Sequence, residues 1–115
     1  MFIANSQIHN DISVNDIIVI KVNANGNILW QKRFGGTPAL QDDYVNSILT
    51  LPQSIGGGYI VGNNFATQTG GAGFLRLDNN GNLLYAKSFL FNNFQDFFFW
   101  DVILTSDNNL LFSGF

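Results

Sequence analysis

The chain has 115 residues, of which 46% are hydrophobic and only 11% charged, and its net charge is −3. Five scattered lysines and arginines cannot follow a phosphate backbone, so the composition excludes nucleic acid as an expected partner. The chain contains no cysteine, which excludes disulfides and thiolate chemistry, and no apolar run approaches the ~20 residues that a membrane-spanning helix needs.

The first strong elements are two β-strands joined by a tight turn. Residues 17–22 are rich in β-branched side chains, and residues 28–34 form a second apolar segment. The Asn-Gly pair within residues 23–27 favours the positive φ angles of hairpin turns. We therefore expect these two strands to be antiparallel neighbours.

The rest of the chain continues as short strands separated by turns, about nine strands in all. Because no segment has a helical period of apolar residues, the predicted fold class is all-β, built of four-stranded antiparallel meanders like the blades of a β-propeller. The further predicted strands cover residues 44–51, 58–61, 74–77, 83–89, 100–105 and 110–112.

The chain also repeats itself. Residues 19–50 align with residues 74–105 at a shift of 55 without a gap, and nine of the 32 paired positions are identical. A period of about 50 residues is typical of propellers, solenoids and arrays, because each unit must bury its faces against the next. The identical pairs are Asn25/Asn80, Gly26/Gly81, Asn27/Asn82, Leu29/Leu84, Lys32/Lys87, Phe34/Phe89, Ile48/Ile103, Leu49/Leu104 and Thr50/Thr105.

The repeat predicts one β-module over residues 1–115. Its units cover approximately residues 2–58 and 59–110, and a third unit starts at 111–115. Closed propellers need four or more blades. Three arrangements therefore stay open: a part of a longer propeller, an oligomer that completes a ring, and an open stack of two blades.

Two segments resemble a known repeat family: residues 16–36, DIIVIKVNANGNILWQKRFGG, and residues 56–61, GGGYIV. They are similar to tandem β-propeller repeats of large secreted and cell-surface proteins of bacteria, many of them Bacteroidetes, and of archaea. The resemblance implies an extracellular or cell-surface location, with any export signal outside this chain. It carries no general catalytic motif and no cofactor, and it implies that Trp30 and Tyr85 are packing residues.

The second copy departs from that family pattern. The expected Gly-Gly after Phe89 is replaced by Leu90 and Phe91, which suggests a degenerate or terminal repeat. The aromatic cluster that follows is a candidate patch for a partner or ligand, with burial between sheets as the alternative. The residues of this patch are Phe91, Phe94, Phe97, Phe98, Phe99 and Trp100.

No polar group predicts catalysis or metal binding. The turn at residues 78–82 has oxygen-bearing side chains but lacks the distal glutamate of a calcium loop, so we expect a plain hairpin turn. Paired carboxylates are the minimum for glycoside hydrolysis, but here they are expected to accept backbone hydrogen bonds, and the single histidine is expected to be solvated. These groups are Asp42, Asp43, Asp96, Asp101 and His9.

The sequence therefore predicts a non-enzymatic structural or interaction scaffold without cofactor or metal. Its expected partners are another protein or neighbouring repeats of the same protein, and a homo-oligomer is left open. The alternative is a small oligomeric carbohydrate-binding, lectin-like subunit of two blades. In that case Trp30 and Tyr85, which occupy equivalent repeat positions, would form the glycan site.

Overall fold

The computed structural model describes residues 2–7, 15–34, 42–66, 71–89 and 99–114. In these ranges the chain forms nine β-strands and one short 3-10 helix at Gln53–Ile55, which confirms the prediction of an all-β chain. The strands are β1 (Phe2–Gln7), β2 (Asn15–Val22), β3 (Ile28–Phe34), β4 (Asp42–Thr50), β5 (Tyr59–Ala66), β6 (Gly71–Leu77), β7 (Leu83–Phe89), β8 (Phe99–Leu104) and β9 (Leu110–Gly114).

The strands form three antiparallel sheets. The first sheet has the order β1-β2-β3, the middle sheet β4-β5-β6-β7 and the last sheet β8-β9. Only the middle sheet is a complete four-stranded meander among the described residues, and it spans residues 42–89. The sheets change between β3 and β4 and between β7 and β8, so each predicted repeat unit contributes strands to two sheets.

The hairpins β2–β3 and β6–β7 share the same strand register and a bulge at the corresponding step. Ile17 lies opposite Phe34, and Ala72 lies opposite Phe89, so both pairs agree with the shift of 55 residues. Both ladders then change register at the corresponding step, next to Lys21 in one and Arg76 in the other. A bulge of this kind re-aims the neighbouring side chains, so the two hairpins present equivalent residues in equivalent directions.

The two hairpin turns follow from their Asx and Gly residues, as predicted. The Asn23 side-chain oxygen accepts the backbone N–H groups of Asn25 and Asn27 at 2.9 and 3.0 Å. Gly26 supplies the positive φ of 85° that this closed loop needs, and the second hairpin uses Gly81, at 81°, in the same way. A side chain that bonds its own backbone two and four residues onward holds the turn without help from another element.

The gapless repeat alignment is wrong by one residue in β8. The bulge of β4 falls at Asn46, between Val45 and Ser47, whereas that of β8 falls at Trp100, between Phe99 and Asp101, which is a shift of 54 residues and not 55. Ile103 therefore corresponds to Leu49 and not to Ile48. Since a slip of one residue moves every side chain of a strand to the other face, the identities between 48–50 and 103–105 do not reflect equivalent positions.

The central strands β5 and β6 of the middle sheet are buried on both faces because their side chains alternate between two apolar layers. Val61, which is fully buried, lies in the layer shared with the first sheet, and its neighbour Ile60 lies in the layer shared with the last sheet. The first layer contains Ile17, Val19, Tyr59, Val61, Leu75 and Leu77, and the second contains Leu51, Ile60, Phe74 and Val102. The three sheets thus form a stack in the order of the chain.

Candidate functional site

Trp30 is a contact between the first and middle sheets. Its indole N–H donates to the backbone carbonyl of Asn79 at 3.1 Å, and its ring meets Tyr59 edge-on with 5.9 Å between the ring centres. The ring also covers Gly81, where an added Cβ atom would lie 2.7 Å from it. The half-buried indole of Trp30 therefore holds the first hairpin against the turn of the second hairpin.

Lys21 completes this end of the interface. It lies directly opposite Trp30 in the β2–β3 ladder, and its ammonium group is 5.5 Å from the centre of the Tyr59 ring. A cation at this distance from an aromatic face is attracted by the ring quadrupole. The Tyr59 ring is thus shared between an indole and a cation, and the three side chains fill the space between the sheets.

Tyr85 occupies the position of Trp30 in the second hairpin, but its surroundings are more open. It meets Phe74 edge-on at 6.0 Å between ring centres and remains 47% exposed. Beside it lies a cavity of about 200 Å³ between the middle and last sheets. The cavity is lined by Leu51, Ile55, Ile60, Arg76, Tyr85, Leu104, Asn108 and Leu110.

The cavity has a simple origin in the sequence. Tyr59 and Leu110 both begin the second strand of their sheet, opposite the final residue of β4 and of β8 respectively. At the first interface Tyr59 lies beside the indole of Trp30, whereas at the second interface Leu110 and the phenol of Tyr85 occupy the corresponding positions. These smaller side chains leave more room between the sheets, because the backbone positions that flank them are set by the same repeat.

Arg76 is a buried cation at the edge of this cavity. Its residue is only 8% exposed, and its guanidinium donates to the carbonyls of Gly57, at 2.6 Å, and of Leu77. Within the part of the chain that the structure describes, no carboxylate forms a salt bridge with it. The three glycines at 56–58 all have positive φ, which lets the turn bring its carbonyl close to the guanidinium.

The predicted aromatic patch is only partly visible. Phe91, Phe94, Phe97 and Phe98 lie outside the described residues. Phe99 stacks on Phe112 with 4.8 Å between ring centres and meets Phe89 edge-on at 6.0 Å, so it belongs to the layer between the middle and last sheets. Trp100, the bulged residue of β8, is 60% exposed. The two described members of the patch therefore have different environments.

The described carboxylates serve the backbone or a partner side chain. Asp101 accepts the N–H of Val102 at 2.8 Å. Asp16 is buried and forms a 2.5 Å ion pair with Arg33, a contact that the sequence analysis missed because Asp16 precedes an apolar run without any motif. Of the other candidates, Asp96 and His9 lie outside the described residues, as do the side chains of the two β4 candidates, residues 42 and 43.

Asp78 is engaged in its own turn. One carboxylate oxygen accepts the backbone N–H groups of Asn80 and Asn82 at 2.8 and 2.9 Å, and the other accepts the Asn82 side-chain amide at 3.1 Å. The backbone hydrogen bond from Asn82 is the main cause that lowers the pKa of Asp78 below its ordinary value of 3.8. These contacts match the turn role expected for this residue.

Two searches of the described residues give negative results. Among them, no group of three or more histidine, cysteine, aspartate or glutamate residues is placed to hold a metal ion. The described segments also contain no helix of the length and apolarity required to cross a bilayer.

Comparison with known proteins gives no match to a family model, a curated protein or a solved structure.

Proposed function

We propose that this chain is a propeller-type repeat module that acts as a non-catalytic structural or interaction scaffold in a secreted or cell-surface bacterial protein. The observation that carries the proposal is the middle sheet, a four-stranded meander covered on both faces by sheets built from the same repeat. Face-to-face contact between successive four-stranded meanders is how propeller blades bury their apolar surface. The location rests on the resemblance of residues 16–36 and 56–61 to secreted repeats.

The first and last sheets support the same architecture. By register, β1, β2 and β3 correspond to the last three strands of the middle sheet, and β8 and β9 correspond to its first two. Each of the outer sheets is thus an incomplete version of the middle one. A unit that needs neighbours on both faces is suited to assembly, either along one polypeptide or between copies.

The role of a scaffold agrees with how the polar and aromatic groups are used. Trp30 joins two sheets, Arg76 holds the turn at 56–58, and Asp78 closes a hairpin. Each of these side chains stabilises the stack, and each does so through contacts within the chain. The geometry therefore favours a role in holding sheets together over one in chemistry.

Carbohydrate binding is the second candidate, and the cavity beside Tyr85 is the observation that favours it. The partly exposed Tyr85 and the polar residues Asn108 and Arg76 are among those that line a space of about 200 Å³. Small-molecule sites combine apolar walls with a few polar groups in this way. The equivalent space beside Trp30 is occupied by Tyr59, so a lectin of this kind would use the second position only.

A glycan-array screen of the purified chain separates the two candidates. A scaffold predicts no sugar-specific binding, for the wild type and for Tyr85→Ala alike. Specific binding that Tyr85→Ala abolishes, with the far-ultraviolet circular dichroism unchanged, would overturn the scaffold and establish the lectin. Lys87→Ala serves as the matched control, because Lys87 lies on the same strand and is likewise exposed but does not line the cavity.

A further inference from the structure

We propose that the outer face of the last sheet, carried by Ile103 and Leu111, docks against the outer face of the first sheet of a second copy of this chain. The contact would extend the stack of sheets head to tail. The inference rests on the proposed function, because it assumes that sheet-on-sheet packing of repeats is the way in which this module assembles.

The outer face of the last sheet carries an exposed apolar pair, Ile103 and Leu111, beside the polar pair Asp101 and Ser113. Ile103 lies directly opposite Leu111 in the β8–β9 ladder, and the two side chains are 49% and 55% exposed. Their neighbours Val102 and Phe112, one residue along each strand, face the middle sheet instead. A sheet with one solvated side shows apolar residues on one face only, whereas this two-stranded sheet carries them on both.

The middle sheet shows what covers such a pair. By the register of the bulges, Ile103 and Leu111 correspond to Leu49 and Ile60, which also lie opposite each other. Ile60 is only 1% exposed, because the last sheet covers it. In the middle sheet, this cross-strand pair is therefore covered by the facing side of the next sheet in the stack.

The first sheet has the complementary face available. Ile20 and Val22 occupy the positions of Leu75 and Leu77, at the shift of 55 residues. In the middle sheet these leucines are 9% and 0% exposed because the first sheet packs on them. In the first sheet, Ile20 and Val22 are only half-buried. Among the described residues, the stack therefore presents a donor face, with Ile103 and Leu111, on the last sheet and an acceptor face, with Ile20 and Val22, on the first sheet.

A contact between two different faces is heterologous. After the first contact, one copy keeps a free donor face and the other keeps a free acceptor face, so association continues until a ring closes or a filament forms. This distinguishes the proposed contact from a two-fold dimer, in which the same face would meet itself.

The test is the mass of the full chain in solution over a range of concentrations, by sedimentation velocity. The wild type is expected to form species heavier than the 12.7 kDa monomer. Leu111→Lys, and independently Ile103→Lys, should reduce it to a monomer with unchanged circular dichroism. Leu84→Lys is the control, since Leu84 is also a strand leucine with 55% exposure but lies on β7, the edge strand of the middle sheet, away from the outer face of the last sheet.

Mixing variants tests the polarity of the contact. Leu111→Lys keeps an intact acceptor face and Ile20→Lys an intact donor face, so each alone should be monomeric and an equimolar mixture should form a 1:1 dimer. A two-fold contact would instead leave Ile20→Lys associated by itself. The docking proposal would be overturned if the folded wild type were a monomer at the highest concentration. It would also be overturned if Leu84→Lys and Leu111→Lys had equal effects. Neither result changes the outcome of the glycan-array screen that tests the scaffold proposal.

Discussion

The two interfaces within this stack are built from the same hairpin and yet differ in how well they are filled. At the first, Trp30 lies on the next turn and shares Tyr59 with Lys21. At the second, Tyr85 is half exposed beside a cavity of about 200 Å³. At the other end of the second interface, Phe74 and Phe99 both stack on Phe112, with centroid distances of 5.3 and 4.8 Å.

This difference shows which part of an interface the repeat determines. The hairpin repeats its register, its bulge and its turn, so it aims residues 30 and 85 in the same direction. What those side chains meet depends on the opposing strand, where Tyr59 is replaced by Leu110. Equivalent backbones therefore allow a closed, well-filled interface between the first and middle sheets and an open one, with a cavity, between the middle and last sheets. Substitutions at the two interfaces test this contrast.

The largest expected effect comes from the closed interface. Leu77 is fully buried between the first and middle sheets, so Leu77→Ala should lower the free energy of unfolding by about 3 kcal/mol through lost transfer energy and a new cavity. Leu110→Ala, next to the existing cavity, should cost only about 1 kcal/mol because less packing is lost. Urea denaturation of both variants measures the difference, and equal losses would contradict the contrast between the interfaces.

The two turn glycines form an internal matched pair. Gly26→Ala and Gly81→Ala both place a side chain at positive φ, at a cost of about 1–2 kcal/mol. An added Cβ at Gly26 meets nothing within 4 Å, whereas at Gly81 it lies 2.7 Å from the Trp30 ring. Gly81→Ala should therefore cost a further ~1 kcal/mol by overpacking. If thermal or urea unfolding finds the two variants equally stable, Trp30 does not cover this turn.

The equivalent aromatic residues should respond differently to loss of their polar groups. Trp30→Phe removes an indole hydrogen bond to Asn79 and part of a sheet contact, so a loss of about 1 kcal/mol is expected. Tyr85→Phe changes an exposed position beside the cavity and should remain within about 0.5 kcal/mol of the wild type. The order of the two unfolding midpoints is the readout, and a larger loss for Tyr85→Phe would reverse the roles given to the two residues.

The smallest effect is the pH dependence that Asp78 contributes through the turn of the second hairpin. Hydrogen bonds from Asn82 lower the pKa of Asp78 in the folded state, so its contribution to stability is complete above the ordinary carboxyl pKa of 3.8 and disappears as pH falls through the lowered value. Asn23 makes the equivalent turn contacts without a titrating group. Asp78→Asn should therefore flatten the acid end of the stability curve slightly, and an unchanged curve would contradict the role of the carboxylate.

Much of this fold could be predicted from the sequence because its signals are local. Asn-Gly turns and β-branched runs define the two hairpins, and the all-β fold class followed from such strands and the absence of a helical period. The alignment was wrong at β8 because the identical residues Ile-Leu-Thr gave no sign that the bulge lies one residue earlier than the repeat predicts. The position of a bulge depends on the partner strand. A sequence repeat alone carries no information about that partner.

The candidate site was harder to predict, since its properties depend on pairs of sheets. Trp30 and Tyr85 were recognised as equivalent, but the closed and open environments that separate them depend on residues 59 and 110, which lie on other strands. The buried contacts of Arg76 and of Asp16 were also missed. Both involve charged side chains that bond groups brought together only by the fold.

Face-to-face packing of successive sheets brings protons of different sheets close together, so proton NMR spectra report it. We expect nuclear Overhauser effects between the Trp30 indole and the α protons of Gly81, together with an upfield ring-current shift of those protons relative to Gly26. We also expect contacts between the rings of Phe74 and Phe112. A well-dispersed β-sheet spectrum that lacks both sets of contacts would contradict the stacked arrangement.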